Sequence, residues 1–130
     1  MTFTVVLPLP PVALNPHAKG HWRGKAKHTK AARETGMVAA MAATRSQRPS
    51  LPSAEVSMTY DVSPPMKVKG YRPKDVQNAI AAVKAYVDGC KDAGLIEDDR
   101  AECLTWGQCR IVKEGKPGVT LVFTAKEGLR

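Results

Sequence analysis

Apolar and polar positions alternate along Thr2–Leu7, with Phe3, Val5 and Leu7 opposed to Thr2, Thr4 and Val6; a period of two predicts a strand. The same alternation returns in Ala54–Val62 through Val56, Met58, Tyr60 and Val62. Between the two, residues 8–28 are too rich in Pro, Gly and Lys for regular structure and predict a long connection carrying His17, His21 and His28. An Ala- and Met-rich stretch from about Thr29 to Ser46 predicts a helix that ends before Pro49. Ser63–Lys74 reads as a loop. The clearest helical period follows, over Val76–Ala93: Val76, Ile80, Val83, Val87 and Cys90 make one apolar stripe, Asp75 stands at the N-cap, and Gly94 stands at the left-handed position past the end.

After an acidic turn, a strand within Ala101–Val112, the turn Gly115-Lys116-Pro117-Gly118 and a strand over Val119–Ala125 read as an antiparallel hairpin. Together these elements predict an α+β fold: a mixed or mainly antiparallel four-stranded sheet with two helices packed on it.

Composition narrows the class. At 130 residues, with 43% hydrophobic and 25% charged positions, the chain suits one globular domain spanning 1–130. No apolar run approaches the roughly 20 residues of a membrane helix. Met1–Val6 has no leading positive charge and soon meets Pro8, Pro10 and Pro11, so no signal peptide is expected. The three cysteines, Cys90, Cys103 and Cys109, lack CxxC spacing and read as small apolar residues in a reducing cytoplasm. Aromatic residues, at 5%, are too few for a base-stacking platform.

Charge is segregated. Residues 1–74 hold 12 Lys+Arg against 3 Asp+Glu, a balance of +9, whereas residues 75–130 hold 8 against 9. Seven acids crowd into 75–102: Asp75, Asp88, Asp92, Glu97, Asp98, Asp99 and Glu102. Basic side chains bind a phosphate backbone by displacing counterions, and clustered carboxylates hold a divalent cation beside it. Charge alone favours the plainer reading, a basic protein that binds nucleic acid without chemistry and whose helix acids are merely solvated. Asp75 taken singly is an N-cap, Asp98-Asp99 are turn acids and Lys84 is a surface lysine. An 18-residue helix is about 27 Å long, so Asp75 and Asp98-Asp99 meet only if the chain folds back or a second subunit intervenes.

The run Arg72-Pro73-Lys74-Asp75-Val76-Gln77-Asn78-Ala79-Ile80 through Lys84, then Asp88-Gly89, Ala93-Gly94-Leu95-Ile96 and Asp98-Asp99, resembles the RusA family of Holliday junction resolvases. Leu7-Pro8-Leu9-Pro10-Pro11, Leu14-Asn15-Pro16 and His21-Trp22 are similar to that family's opening. The family pattern is D-x-D-N, a helix carrying a lysine, then D-G, A-G-x-I and a closing D-D. The resemblance implies a RusA-like fold and a homodimeric endonuclease that binds magnesium or manganese and needs no nucleotide cofactor. Asp75 matches the first aspartate of the acidic set, Asp99 or else Asp98 the last, and Lys84 the assisting lysine. Gln77 stands where the second aspartate is expected; its carbonyl still coordinates a hard cation but brings no charge.

The function so implied is paired phosphodiester hydrolysis in four-way DNA, with water activated by the metal. Lys19, Arg23, Lys25, Lys27, Lys30 and Arg33 on one side, and Lys67, Lys69, Arg72 and Lys74 on the other, would hold the junction arms through their backbones. Because of Gln77, the alternative is a weakened or inactive junction-binding protein of the same fold. A small basic RNA-binding protein is the third reading, and it leaves Asp75 and Asp99 without a role.

Overall fold

Strand alternation decides which way the sheet faces. The computed structural model describes residues 1–10, 14, 22–62 and 75–126, with backbone only for 22–24. Its elements are β1 (Thr2–Leu7), α1 (Trp22–Thr44), β2 (Ala54–Asp61), α2 (Val76–Asp92), β3 (Leu104–Val112) and β4 (Gly118–Ala125). The four strands form one mixed sheet in the order β1-β4-β2-β3, giving the α+β fold with two helices. β4 runs antiparallel to both β1 and β2, and β2 runs parallel to β3.

The last two strands are therefore not a hairpin. β2 lies between them, and the connection from Val112 to Gly118 passes over the end of β2. β2 holds this central place, pairing with β3 on one edge and β4 on the other, and buries Val56, Met58 and Tyr60 on one face. The crossing is fastened by Asp61, only 5% exposed, whose Oδ2 accepts from the backbone N–H of Glu114 and of Lys116, each at 3.2 Å. Local turn chemistry alone could not reveal this, since the partner of the turn lies 53 and 55 positions earlier.

Two crossovers build the other layer. β1-α1-β2 straddles β4, while β2-α2-β3 joins neighbours. Both step the same way along the sheet, so a common right hand puts both helices on one face. α1 packs on α2 and over β1, and α2 reaches β3. Val5, Leu7, Leu121, Phe123 and the β2 side chains fill the space beneath them.

α1 starts at Trp22, seven positions before Thr29, and ends at Thr44. The expected basic loop over 8–28 is thus shorter, with Arg23, Lys25 and Lys27 on helix. Lys, Arg and Ala are good helix formers and outweigh Gly24, and Thr29, in place of capping, bonds back to the Lys25 carbonyl at 2.8 Å. α2 follows its pattern closely. Asp75 caps it, accepting from the Asn78 N–H at 2.8 Å, and Gly94 at φ 78 turns the chain out. Its buried face is wider than the stripe, adding Ala79, Ala82, Ala85, Tyr86 and Gly89, because α1 covers one flank and the sheet the other. The two helices meet at glycines: a Cβ on Gly36 would lie 2.3 Å from the Tyr86 carbonyl oxygen, and one on Gly89 would lie 2.0 Å from that of Arg33.

Candidate functional site

The acidic turn is placed by apolar burial. Beyond Gly94, Leu95 and Ile96 are fully buried, and Ile96 bridges to Leu51. Three backbone bonds stitch this stretch down: Ser50 N–H to Gly94 at 2.7 Å, Leu51 N–H to Leu95 at 3.0 Å and Glu97 N–H to Leu51 at 2.9 Å. Asp98 and Asp99 therefore emerge beside the second half of α2, facing the side chains that helix presents there.

Asp98 and Asp99 then diverge. Asp98 accepts from the Asp99 N–H at 2.7 Å and pairs with Arg100 at 2.8 Å and with Lys91 of α2 at 3.4 Å, an ammonium that also lies 3.9 Å from Asp99. Asp99 receives the ammonium of Lys84, which also lies 3.3 Å from Asp88 Oδ1. The carboxyls of Asp88 and Asp99 share this one ammonium and shift each other's proton affinity. Lys84, Asp88 and Asp99 thus form one cluster of an ammonium and two carboxyl groups.

Proton affinities split across this cluster. Partial burial, and then the neighbouring Asp99, push the Asp88 carboxyl above its ordinary value against the pull of Lys84. Asp99 is held well below the carboxylate range, first by the hydrogen bond from Lys84 and then by Asp88. Partial burial pulls Lys84 down, but Asp99 and Asp88 together raise it. The two carboxyls titrate as a pair, Asp88 taking the first proton.

Of the expected acidic set, Lys84 and Asp99 are brought together and Asp75 is not. Thirteen residues separate Asp75 from Asp88, about 20 Å of helix. The chain after Gly94 does fold back, but only to the level of Lys84 and Asp88. Asp75 spends its carboxylate on the N-cap, and Gln77 is exposed in the first turn. The family pattern leaves Asp88 outside the acidic set; at about 16 Å along the helix from Gln77 it cannot stand in for the missing aspartate, and its signal is instead the (i, i+4) spacing from Lys84.

A hard divalent cation such as magnesium takes one or two carboxylates plus substrate phosphates and water. Asp88 and Asp99 fit that requirement, with Lys84 now balancing their charge; Asp75 and Asp99 within one chain do not. Among the described residues, no three or more His, Cys, Asp or Glu side chains gather into a metal site.

Of the expected DNA-binding residues, Lys27 is exposed and Lys25 half-buried near the start of α1. Arg23 lies in its first turn, with its side chain outside the described residues, as Lys19, Lys67, Lys69, Arg72 and Lys74 are altogether. Arg33 is otherwise engaged: it clamps α1 to α2 through two bonds to Asp92, at 2.5 and 2.8 Å. Among the described residues, no helix is long and apolar enough to cross a membrane. No protein-family model matches this chain, and no curated protein matches it.

Proposed function

We propose that this chain is a metal-dependent endonuclease of branched DNA, cutting four-way junctions as a homodimer, with its acidic centre at Asp88, Asp99 and Lys84. One observation carries the reading. Lys84 and Asp99, which the RusA resemblance names as catalytic, stand 15 positions apart in the chain and meet in space, with Asp88 completing the cluster.

A bound magnesium or manganese ion supplies charge stabilisation at the scissile phosphate and a water made acidic enough to attack. Asp99, ionised down to low pH, supplies the standing negative charge that holds such an ion. Asp88, with the higher proton affinity of the two, accepts the proton released by the attacking water. Lys84 moves from its carboxylates toward the phosphate and offsets the charge that builds there. Lys25 and Lys27, with the basic residues before them and in 67–74, follow the DNA backbone and read branch shape more than base sequence. The net charge of +8 favours a polyanionic substrate and a salt-sensitive encounter.

A second reading, a non-cleaving junction binder in the cytoplasm, is favoured by Gln77 and by the separation of Asp75 from Asp99. Incubation of a synthetic four-way junction with the protein and Mg²⁺ or Mn²⁺ decides between them. Paired nicks that vanish in Asp99→Asn and Lys84→Met support the nuclease, and tight, salt-sensitive binding with no product selects the binder. Nicking retained in Asp75→Ser supports a centre at Asp88–Asp99; its loss at unchanged melting temperature returns Asp75 to the acidic set.

A further inference from the structure

The acidic centre already holds a cation of its own. The Lys84 ammonium donates to Asp99 Oδ2 and lies 3.3 Å from Asp88 Oδ1, so one nitrogen bridges the two carboxyls. Among the described residues, Lys84 is the only ion-pair partner of Asp88. Its side chain is 55% exposed, against 29% for Asp88 and 20% for Asp99. The carboxyls thus lie beneath, and the lysine stands between them and solvent.

Two lysines serve Asp99, and they are held differently. Lys91 comes within 3.9 Å of Asp99 Oδ1, the oxygen that Lys84 leaves, and within 3.4 Å of Asp98, which Arg100 fixes in turn at 2.8 Å. Lys91 also stands in the last turn of α2, where the carbonyl end of a helix favours a cation. Lys84 stands in mid-helix with its acid, Asp88, four residues further on, the weaker order for such a pair. Exposed ion pairs of this kind are weak and yield to a competing charge. Lys84 is therefore the cation that can leave, and Lys91 the one that stays.

We propose that Lys84 is a built-in competitor for the metal ion, and that a DNA phosphate opens the centre by drawing its ammonium away. The inference rests on the nuclease reading above and adds an order of binding to it. An ammonium and a divalent cation repel, and Asp88 and Asp99 can each offer an oxygen to one ion only when the place between them is free. With Lys84 held on a phosphate, the two carboxyls recover their full negative charge, while Lys91 keeps Asp99 oriented. DNA and metal therefore help each other to bind, each tightening the other by the same factor. The arrangement keeps the centre blocked until the polyanion is in place.

Uptake of Mn²⁺ by the full chain, followed by loss of the free-ion electron paramagnetic resonance signal, tests this without any cleavage. In the absence of DNA, Lys84→Met should tighten Mn²⁺ binding about tenfold, because it frees both carboxyls at once. Lys91→Met removes an equal charge that touches only one of them, and should tighten it by less. A four-way junction should tighten uptake by the wild type and leave that of Lys84→Met nearly unchanged, uptake by the DNA alone being subtracted. Lys84 and Lys91 both reach solvent, so circular dichroism should not change in either variant.

Mn²⁺ affinity in Lys84→Met equal to or below that of the wild type, or matched by Lys91→Met, overturns the inference. If the wild type nicks junctions all the same, the nuclease reading stands without it. Tightened uptake in Lys84→Met, with no nicking by the wild type, overturns the nuclease alone. Uptake by neither protein, with or without DNA, overturns both.

Discussion

The Lys84 ammonium rests on the Asp99 carboxylate, joining the exposed side of α2 to the turn that follows it. Fifteen residues of chain lie between them, and a buried pair, Leu95 and Ile96, holds the turn in place. The contact has consequences for stability as well as for chemistry.

Acid sensitivity is the first. Asp99 has a depressed folded-state value, so its stabilisation is complete above the unfolded value of about 3.9 and is lost as pH falls through the folded one. Asp88 is raised and works in the opposite sense: its contribution is present at low pH and is lost as pH rises through its folded value. Urea unfolding of Asp99→Asn across the acid range should therefore show a shallower loss of stability below about pH 4 than the wild type. Asp88→Asn should show a steeper one. Lys84 is 55% exposed, so Lys84→Met should cost no more than about 1 kcal/mol at neutral pH.

The β3–β4 crossing has its own fastening, independent of that contact. Asp61→Ala leaves two backbone N–H groups without their buried acceptor, and about 2–3 kcal/mol of unfolding free energy should go with it. Asp61→Asn keeps one acceptor oxygen and should recover part of the loss. Chemical denaturation of the two variants gives the comparison.

The helix contact reverses an ordinary rule. In an exposed helix, Gly→Ala gains up to about 1 kcal/mol. At Gly36 and Gly89 the added methyl meets backbone atoms 2.3 and 2.0 Å away, which no side-chain rotation relieves. Either substitution should destabilise by about 3 kcal/mol or more, seen as a lowered melting temperature.

Thiol reactivity should rank by burial. Cys90 is buried between α2 and the Gly36 region, which pushes its thiol up to about 12. Cys103 is buried too, and Cys109 is half-buried in β3. A disulfide reagent at mildly alkaline pH should label Cys109 first and Cys90 only on unfolding, readable by mass spectrometry of the digested protein.

The N-cap separates two roles of one residue. Asp75→Ala should cost about 1 kcal/mol, whereas Asp75→Ser retains an acceptor for the Asn78 N–H and should stay near wild type. Thermal melts measure this independently of any cleavage.

The sequence by itself determined what local physics governs. Alternation marked β1 and β2, a 3.6-residue period with Asp75 and Gly94 at its ends marked α2, and the uneven charge marked a basic and an acidic part. It misjudged the start of α1, because Lys and Arg beside His28 read as loop composition although they are good helix formers. It also paired β3 with β4, since a Gly-Pro turn signals only that the chain reverses, not which strand lies between. The same limit applied to the acidic set. A helix carries Asp75 away from Asp99 at 1.5 Å per residue, and only the burial of Leu95 and Ile96 against Leu51 decides that the turn folds back as far as Lys84 and Asp88 and no further. Tertiary packing chose the partner of each carboxylate because long-range contacts are set by where apolar surface is removed from water, and spacing along the chain carries no record of that.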